Sequence, residues 1–185
     1  MTICIFPGTF NPIHIAHIKM AVYALNKYNF EKIVFIPSYI PPHKQIDSNL
    51  AEHRYNMVKL AVKMNPRFDI SDIEYKSPQK SYTLITVNKI KEKYNIQGRV
   101  NMIIGSDAFI NVNSWYKADE LKNLVHFIVF PREGYEISCD MLMDFSYEIA
   151  DSEKLDISST QIRENHEGQL PKEVKDYIEQ NALYN

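Results

Sequence analysis

The sequence contains few glycines. Only five occur among its 185 residues, whereas average usage of about 7 % would give roughly 13. Their spacing allows neither of the common phosphate-binding loops, G-x-G-x-x-G and G-x-x-x-x-G-K-[ST], and their number excludes collagen-like and glycine-rich linker sequences. Any phosphate site in this chain must be built in another way. The five are Gly8, Gly98, Gly105, Gly134 and Gly168.

Cysteines and long apolar runs are also scarce. Two cysteines, Cys4 and Cys139, cannot form a disulfide framework or a four-thiolate zinc site; Cys4 lies in an apolar run, which predicts a core residue. The apolar run over residues 2–6 is too short for a signal peptide, and no stretch approaches the 18 apolar residues of a membrane span. We therefore expect a cytoplasmic protein without a membrane partner.

Charge is distributed unevenly, although the formal net charge is only −2. Residues 1–63 hold seven lysines and arginines against three acidic residues, whereas residues 133–185 hold four against thirteen. The basic excess at the start is too small to indicate a nucleic acid. It suits a small polyanionic ligand.

Short apolar runs alternate with segments of helical periodicity. The runs predict strands over residues 2–6, 32–36, 68–73, 100–104 and 125–130. The periodic segments predict helices over residues 13–28, 51–64, 82–94, 159–164 and 172–181, and a less regular stretch reaches residue 156. Such alternation predicts one doubly wound, Rossmann-like α/β domain over residues 1–185, with a parallel sheet and C-terminal helices.

Ligands of doubly wound sheets bind beyond the carboxyl ends of the strands, where residues 7–13, 37–49 and 105–107 form loops. In the first of these regions His14 and His17 lie one helical turn apart, in a first turn whose free N–H groups favour anions. The pair could bind phosphate, stand on the surface without a ligand, or form half of a zinc site that lacks a matching third ligand.

Other segments have weaker indications. Ser158 and Gln161 have the spacing of a capping box, and Arg163 follows one turn later, which fits either an anion site or a capped surface helix. Asp107, after a strand end, could accept a hydrogen bond from a ribose hydroxyl or cap a helix. Trp115, next to Tyr116, could stack on a flat ligand or belong to the core.

Together these segments resemble the bacterial nicotinate-nucleotide adenylyltransferases, within the HxGH nucleotidyltransferase superfamily. The resemblance spans essentially the whole chain. The motifs that carry it are Gly8-Thr9-Phe10-Asn11-Pro12 with His14 and His17, Pro41-Pro42-His43-Lys44, Ser81-Tyr82-Thr83, Ile103-Ile104-Gly105-Ser106-Asp107, Trp115-Tyr116, Arg132-Glu133-Gly134-Tyr135 and Ile157-Ser158-Ser159-Thr160-Gln161-Ile162-Arg163.

The resemblance implies transfer of AMP from ATP to nicotinate mononucleotide, which gives deamido-NAD and pyrophosphate in NAD biosynthesis. It implies Mg²⁺ bound to ATP, no dedicated metal ligands and no nucleic acid, and it leaves a homo-oligomer open. The implied catalytic residues are His14, His17 and Arg163. The implied ATP-binding residues are Gly8, Thr9, Phe10, His14, His17, Gly105, Asp107, Ser159 and Arg163, and the implied acceptor-binding residues are Ser38, Lys44, Thr83, Trp115 and Arg132.

Three positions depart from the family pattern. Asn11 replaces the usual Asp, Ala16 replaces the Gly of the HxGH motif, and Ser38 replaces a common Asn. Ala16 is therefore the position where strain or lost activity is expected first. Two alternatives remain: a phosphopantetheine adenylyltransferase, which Phe6-Pro7-Gly8 also resembles, and a non-catalytic nucleotide-binding module. A zinc hydrolase is a more distant third.

Overall fold

Six parallel strands form one sheet in the part of the chain that the structure describes. The structure is a computed structural model, and it describes residues 2–42, 49–76, 80–137, 144–152, 158–165 and 169–184. The strand order is β3-β2-β1-β4-β5-β6. The strands are β1 (Ile3–Gly8), β2 (Lys32–Pro37), β3 (Phe68–Ile70), β4 (Val100–Gly105), β5 (Val125–Phe130) and β6 (Ser146–Ile149).

Helices connect the strands and follow the last one. They are α1 (Ile15–Lys27), α2 (Leu50–Ala61), α3 (Thr83–Tyr94), α4 (Ser106–Phe109), α5 (Ala118–Leu121), α6 (Ser159–Asn165) and α7 (Lys172–Gln180), with short 3₁₀ turns at Val62–Met64 and Val112–Ser114. The predicted helix over residues 51–64 is thus an α-helix that ends in a 3₁₀ turn. Over the described residues, none of these helices is both long and apolar enough to cross a bilayer.

Both faces of the sheet are covered, which explains why the central strands β1, β2, β4 and β5 are predominantly apolar. Successive side chains of a strand point to opposite faces. Cys4 and Phe6 accordingly join a buried cluster that includes residues of α1, α2 and α7, whereas Ile3 and Ile5 join a second cluster with residues of α3 and α5. The predicted burial of Cys4 is confirmed, since its side chain is fully buried.

Strand β1 is longer than its sequence predicts. It continues through Pro7 to Gly8, and both residues pair with β2. On its other side β1 pairs with β4 only at Cys4 and Ile5. A proline has no backbone N–H, so it is unfavourable in a strand that is hydrogen-bonded on both sides. Beyond Phe6, β1 is paired on one side only, and the missing donor of Pro7 is therefore tolerated.

Strand β6 was not predicted. Ser146, Tyr147, Glu148 and Ile149 pair in parallel with residues of β5, inside the stretch that the sequence indicates as irregular. As an edge strand, β6 needs no continuous apolar run. Strand β3 ends at Ile70, three residues before its predicted end.

The strand order explains where a ligand can bind. From β1 the chain moves through β2 to β3 on one side, and it then returns to β4 and continues on the other side. The connections leaving β1 and β4 therefore diverge, and a crevice opens between them at the carboxyl ends of the strands. Both strands end in a glycine there, Gly8 and Gly105.

Candidate active site

Two adjoining cavities lie at the carboxyl ends of the strands. The first cavity has a volume of about 940 Å³, and the second has about 520 Å³. Gly8, Thr9 and Asp107 line both. Polar and aromatic side chains line both cavities. The first cavity is also lined by Phe10, Asn11, His17, Gly105, Arg132, Glu133, Ser159, Arg163 and Tyr184. The second is also lined by Ser38, Glu74, Ser81, Tyr82, Thr83, Trp115 and Tyr116.

His14 and His17 stack at the start of α1, with ring centroids 3.7 Å apart. His14 is the N-cap residue, and its backbone N–H donates a hydrogen bond to Nδ1 of His17 at 3.2 Å. Because Nδ1 accepts this bond, the proton of a neutral His17 ring is on Nε2. His17 thus presents an N–H donor on a ring that lines the first cavity.

The two histidines differ in exposure. The His14 side chain is fully buried, and it lines neither of the two cavities. Burial, reinforced by the charge of Arg132, lowers the pKa of His14 to about 3, so the ring is neutral at physiological pH. The His14 ring stacks on that of His17, and its direct contact with a ligand stays a prediction.

Phe10 explains why Gly8 is a glycine. Phe10 has a left-handed backbone, with φ of 48°, and its ring packs edge-on against Phe6 and His17 at 5.4 and 5.0 Å. A Cβ on Gly8 would approach the Phe10 ring to 2.8 Å. Gly8 therefore lets the Phe10 ring lie beneath the loop between β1 and α1, where it supports His17.

Ala16 lies inside α1 with its side chain buried. Its backbone is not among the left-handed positions of the chain. An alanine fits this helical backbone without strain, so the departure from glycine causes no visible distortion.

Helix α6 brings Ser159 and Arg163 against the same loop. Ser159 Oγ donates to the Pro12 carbonyl at 3.1 Å, and Arg163 Nη1 donates to the Asn11 carbonyl at 2.7 Å. The predicted capping box is confirmed: Gln161 N–H donates to Ser158 Oγ at 3.2 Å, and Ser158 N–H donates to Gln161 Oε1 at 2.8 Å.

The C-terminal segment closes one wall of the first cavity. The Tyr184 hydroxyl donates to Oδ1 of Asn11 at 2.5 Å, and burial raises the pKa of Tyr184 to about 12. The amide oxygen of Asn11 thus accepts the hydrogen bond that a carboxylate would also accept. This contact makes the replacement of Asp by Asn compatible with the geometry of the loop.

Arg132 pairs with Asp107 beside Gly105. The Arg132 Nε to Asp107 Oδ1 distance is 3.4 Å, and a Cβ on Gly105 would come within 2.4 Å of that oxygen and 3.0 Å of that nitrogen. The glycine therefore leaves room for the pair. Arg132 was grouped by sequence with the acceptor-binding residues, but in this structure it lines the first cavity with the ATP-binding set.

The second cavity has aromatic walls. Tyr82, Thr83, Trp115 and Tyr116 line it, and the rings of Tyr82 and Tyr116 pack together with centroids 4.6 Å apart. Ser38 Oγ donates to the Gly8 carbonyl at 3.0 Å. Lys44, which was predicted to bind the acceptor, lies outside the described residues.

Two buried charged residues near the second cavity were missed by sequence reasoning. Arg54 is fully buried and Glu74 is 8 % exposed. A signal for Arg54 was available, because it falls on the same face of α2 as Ala51, Met57 and Val58. No comparable periodicity marks Glu74, which follows β3 in a turn.

The electrostatics of the first cavity favour an anionic ligand. The His17 Nε2–H and the guanidinium groups of Arg132 and Arg163 are donors around it, and Arg132 also pairs with the carboxylate of Asp107. An imidazole and guanidinium groups are the donors that phosphate oxygens accept from. The arrangement can hold a polyphosphate next to a flat ring system in the second cavity.

Comparisons with known proteins agree with this arrangement. The family model described as cytidylyltransferase-like matches residues 5–165. A probable nicotinate-nucleotide adenylyltransferase of Caldicellulosiruptor saccharolyticus is 38 % identical over 204 residues, which cover 100 % of this chain and 99 % of the relative. The nicotinate-nucleotide adenylyltransferase of Bacillus subtilis is 38 % identical over 187 residues, which cover 97 % and 96 %.

Solved structures match the fold. The Plasmodium falciparum nicotinic acid mononucleotide adenylyltransferase complexed with NaAD superposes with a TM-score of 0.82 at 23 % identity, covering 98 % of this chain and 96 % of that one. The same enzyme complexed with APC gives 0.80 at 22 % identity, with the same coverage. At these identities the likeness shows a shared Rossmann-like architecture, which confirms the predicted fold class.

Proposed function

The chain belongs to the nicotinate-nucleotide adenylyltransferase family of cytidylyltransferase-like enzymes, and we propose that its paired cavities transfer AMP from ATP to nicotinate mononucleotide. The products are deamido-NAD and pyrophosphate. One observation carries the assignment of the site. A cavity bearing an imidazole N–H and two guanidinium groups adjoins an aromatic-walled cavity, and the two share Gly8 and Thr9.

The proposed ATP site is the first cavity. His17 and Arg163 would donate to the phosphates, with Ser159 on the β- and γ-phosphate side and Gly105 and Asp107 near the adenosine. Support comes from the hydrogen bond that fixes the His17 tautomer and from the bonds that hold α6 against the loop. His14 would also bind the ATP phosphates, and its backbone N–H fixes the orientation of His17.

The proposed acceptor site is the second cavity. Trp115 would stack on the pyridine ring, and the backbone of Thr83, the first residue of α3, would bind the ring's carboxylate. Ser38 lies on the same wall. The backbones of Gly8 and Thr9 line both cavities, so they can hold the acceptor's phosphate next to the α-phosphate of ATP.

The chemistry requires positioning and charge stabilisation, because the acceptor's phosphate is already a nucleophile at neutral pH. Its oxygen attacks the α-phosphorus, a new P–O bond forms, and the bond to the bridging oxygen of pyrophosphate breaks. No proton must be removed and no covalent intermediate is needed. Holding two anions in line while His17 and Arg163 neutralise developing negative charge accounts for the residue types of the site.

Magnesium would enter with ATP as part of the substrate. Among the described residues no group of three or more His, Cys, Asp or Glu side chains is placed to hold a metal ion. An ion that coordinates the phosphate oxygens of ATP and water needs no dedicated protein cage. A single domain over residues 1–185, a cytoplasmic location and a homo-oligomer stay predictions from the sequence.

The decisive experiment measures pyrophosphate release with ATP and each of three acceptors. We expect turnover with nicotinate mononucleotide, a lower kcat/KM with nicotinamide mononucleotide because Thr83 and Trp115 match the family's recognition of the acid, and none with phosphopantetheine. Equal efficiency with acid and amide would contradict the proposed acceptor contacts. Absence of turnover with nicotinate mononucleotide would refute the proposed function.

A further inference from the structure

Arg54 is a charged residue inside the protein. It lies on α2, and its side chain is fully buried together with those of Met57 and Val58. A guanidinium does not lose its proton in a protein, although burial lowers the pKa of Arg54. A buried charge is retained only where fixed partners compensate for lost hydration, so the partners of Arg54 indicate its role.

Those partners are backbone carbonyls of two loops beside the second cavity. Arg54 Nη1 donates to the carbonyls of Thr9 at 2.8 Å and Ser38 at 2.6 Å, and Nη2 donates to the carbonyl of Tyr39 at 2.9 Å. The loop after β1 contains Thr9, and the loop after β2 contains Ser38 and Tyr39. Because a guanidinium is a rigid planar fork, these bonds fix the two loops relative to each other.

Glu74 fixes the opposite wall. Its side chain lines the second cavity, and its Oε1 accepts a hydrogen bond from Thr86 Oγ1 of α3 at 2.7 Å. The Ser81 hydroxyl acts against the rise that burial causes in the pKa of Glu74, and Ser81 Oγ accepts a hydrogen bond from the Tyr39 N–H at 3.0 Å. Glu74 therefore ties the start of α3, where Thr83 lies, to the loop after β2.

The two buried charges attract each other. The charge of Arg54 opposes the rise that burial causes in the pKa of Glu74, and Glu74 opposes the fall in the pKa of Arg54. Tyr39 connects the two sides, because its carbonyl accepts from Arg54 and its N–H donates to Ser81 Oγ. Buried polar contacts thus join the two loops to the segment that begins α3.

We infer that Arg54 and Glu74 are positioning residues that together set the shape of the second cavity and thereby the recognition of the acceptor. Arg54 holds Thr9 and Ser38, and Glu74 holds the start of α3 on the facing wall. Neither residue needs to touch the reacting phosphates. The inference rests on the proposed function, since it assigns the acceptor to the second cavity.

The test separates recognition of the acceptor from recognition of ATP. KM and kcat for both substrates are measured in the wild type, in Arg54→Lys, which keeps the charge but cannot reach three carbonyls, and in the near-isosteric Glu74→Gln. Glu74→Gln keeps an oxygen that can accept from Thr86 but removes the charge, whereas Arg54→Lys loses bonds to carbonyls; weakening or loss of a buried bond to a charged group corresponds to an effect of up to roughly tenfold to hundredfold. In both variants we expect KM for nicotinate mononucleotide to rise about tenfold or more. In Glu74→Gln, KM for ATP should stay within about twofold of the wild-type value. In Arg54→Lys, KM for ATP should rise less than KM for the acceptor.

Matched controls carry the same substitutions at exposed positions. Arg67→Lys, before β3, and Glu92→Gln, on α3, should leave both KM values unchanged. If Glu74→Gln does not fold, Thr86→Val removes the hydroxyl that donates to Glu74 while keeping the side-chain shape, and it should raise the acceptor KM alone. A fall in melting temperature with both KM values unchanged, or an equal rise in both, would overturn the inference.

The two proposals fail in different ways. A wild-type protein that releases no pyrophosphate with nicotinate mononucleotide refutes the proposed function before any variant is compared. An active wild type whose Glu74→Gln and Arg54→Lys variants show no preferential rise in acceptor KM refutes only the positioning role.

Discussion

His17 is the residue at which the largest kinetic effect is expected. His17→Ala removes an N–H donor that faces the first cavity, and loss of one transition-state donor typically lowers kcat about 10²-fold to 10³-fold. We therefore expect a fall in kcat of roughly 10²-fold or more, measured as pyrophosphate release at saturating ATP and acceptor.

His126→Ala is the control for this substitution. His126 lies on β5 and contacts Ser146 and Glu148 of β6, away from both cavities, so its kcat should stay near that of the wild type. A normal kcat in His17→Ala would mean that His17 does not stabilise the transition state. It would favour the alternative in which His17 belongs to a non-catalytic binding module.

His14 should make the stability of the protein depend on pH. The unfolded chain binds a proton at His14 near the ordinary pKa of 6.5, whereas the folded chain does so at about 3. Between these values the unfolded state binds more protons, so stability is present above pH 6.5 and is lost as pH falls, by about 1.4 kcal/mol per pH unit from this residue. Urea unfolding between pH 4 and 7 should show a smaller slope for His14→Asn than for the wild type; equal slopes would contradict a buried neutral His14.

Sequence reasoning identified most residues that line the cavities but not the residues behind them. The family resemblance implied His17, Ser159 and Arg163, and all three line the first cavity. Burial depends on packing between elements distant in sequence, so the hidden position of His14 could not be predicted from a motif. Arg54 lay on an apolar helix face, where an inward-pointing charge could have been suspected.

At the scale of elements, α6 depends on its capping box. Ser158→Ala removes the acceptor for the Gln161 N–H and should cost about 1 kcal/mol of helix stability. Since α6 contains Ser159 and Arg163, this loss should raise KM for ATP up to about fivefold and leave KM for the acceptor unchanged. Gln161→Glu keeps the capping box and should behave like the wild type in the same assay. An unchanged KM for ATP in Ser158→Ala would mean that docking on the loop, and not capping, holds the helix.

The ends of helices and strands were predicted well where apolar runs or helical periodicity mark them. They were predicted poorly where hydrogen bonding to a neighbouring strand determines where a strand ends. Strand β5 was predicted at its observed bounds, Val125–Phe130. The ends of β1 and β3 were displaced, and β6 was missed, because whether a proline or a polar residue joins a strand depends on which neighbour it pairs with.

At the scale of the whole molecule, the two cavities should act as one site for the dinucleotide product. Deamido-NAD would fill both cavities, whereas ATP or nicotinate mononucleotide would fill one. A ligand stabilises the folded state according to its concentration relative to Kd, so deamido-NAD should raise the melting temperature more than either substrate at equal concentration. Thermal denaturation with each ligand checks this, and a product shift no larger than that with ATP would mean that the cavities do not bind one molecule together.

The fold class could be predicted from alternation, although the strand order and the sixth strand were not. Apolar strands separated by helical segments require crossovers and hence a parallel sheet covered on both faces, and the order β3-β2-β1-β4-β5-β6 follows this rule. The division of the crevice into two cavities could not be predicted, since it depends on how the loops after β1 and β2 are held together by Arg54.

The hydrogen bond between Tyr184 and Asn11 joins residues 173 positions apart, and it has a consequence for protein synthesis. A growing chain emerges from its amino end at about 5–20 residues per second, so β1 and its loop are made long before their partner. The wall of the first cavity that Tyr184 supplies is missing until that residue has left the ribosome. A nascent chain therefore has the complete wall of the first cavity only after residue 184 has been synthesised and has left the ribosome.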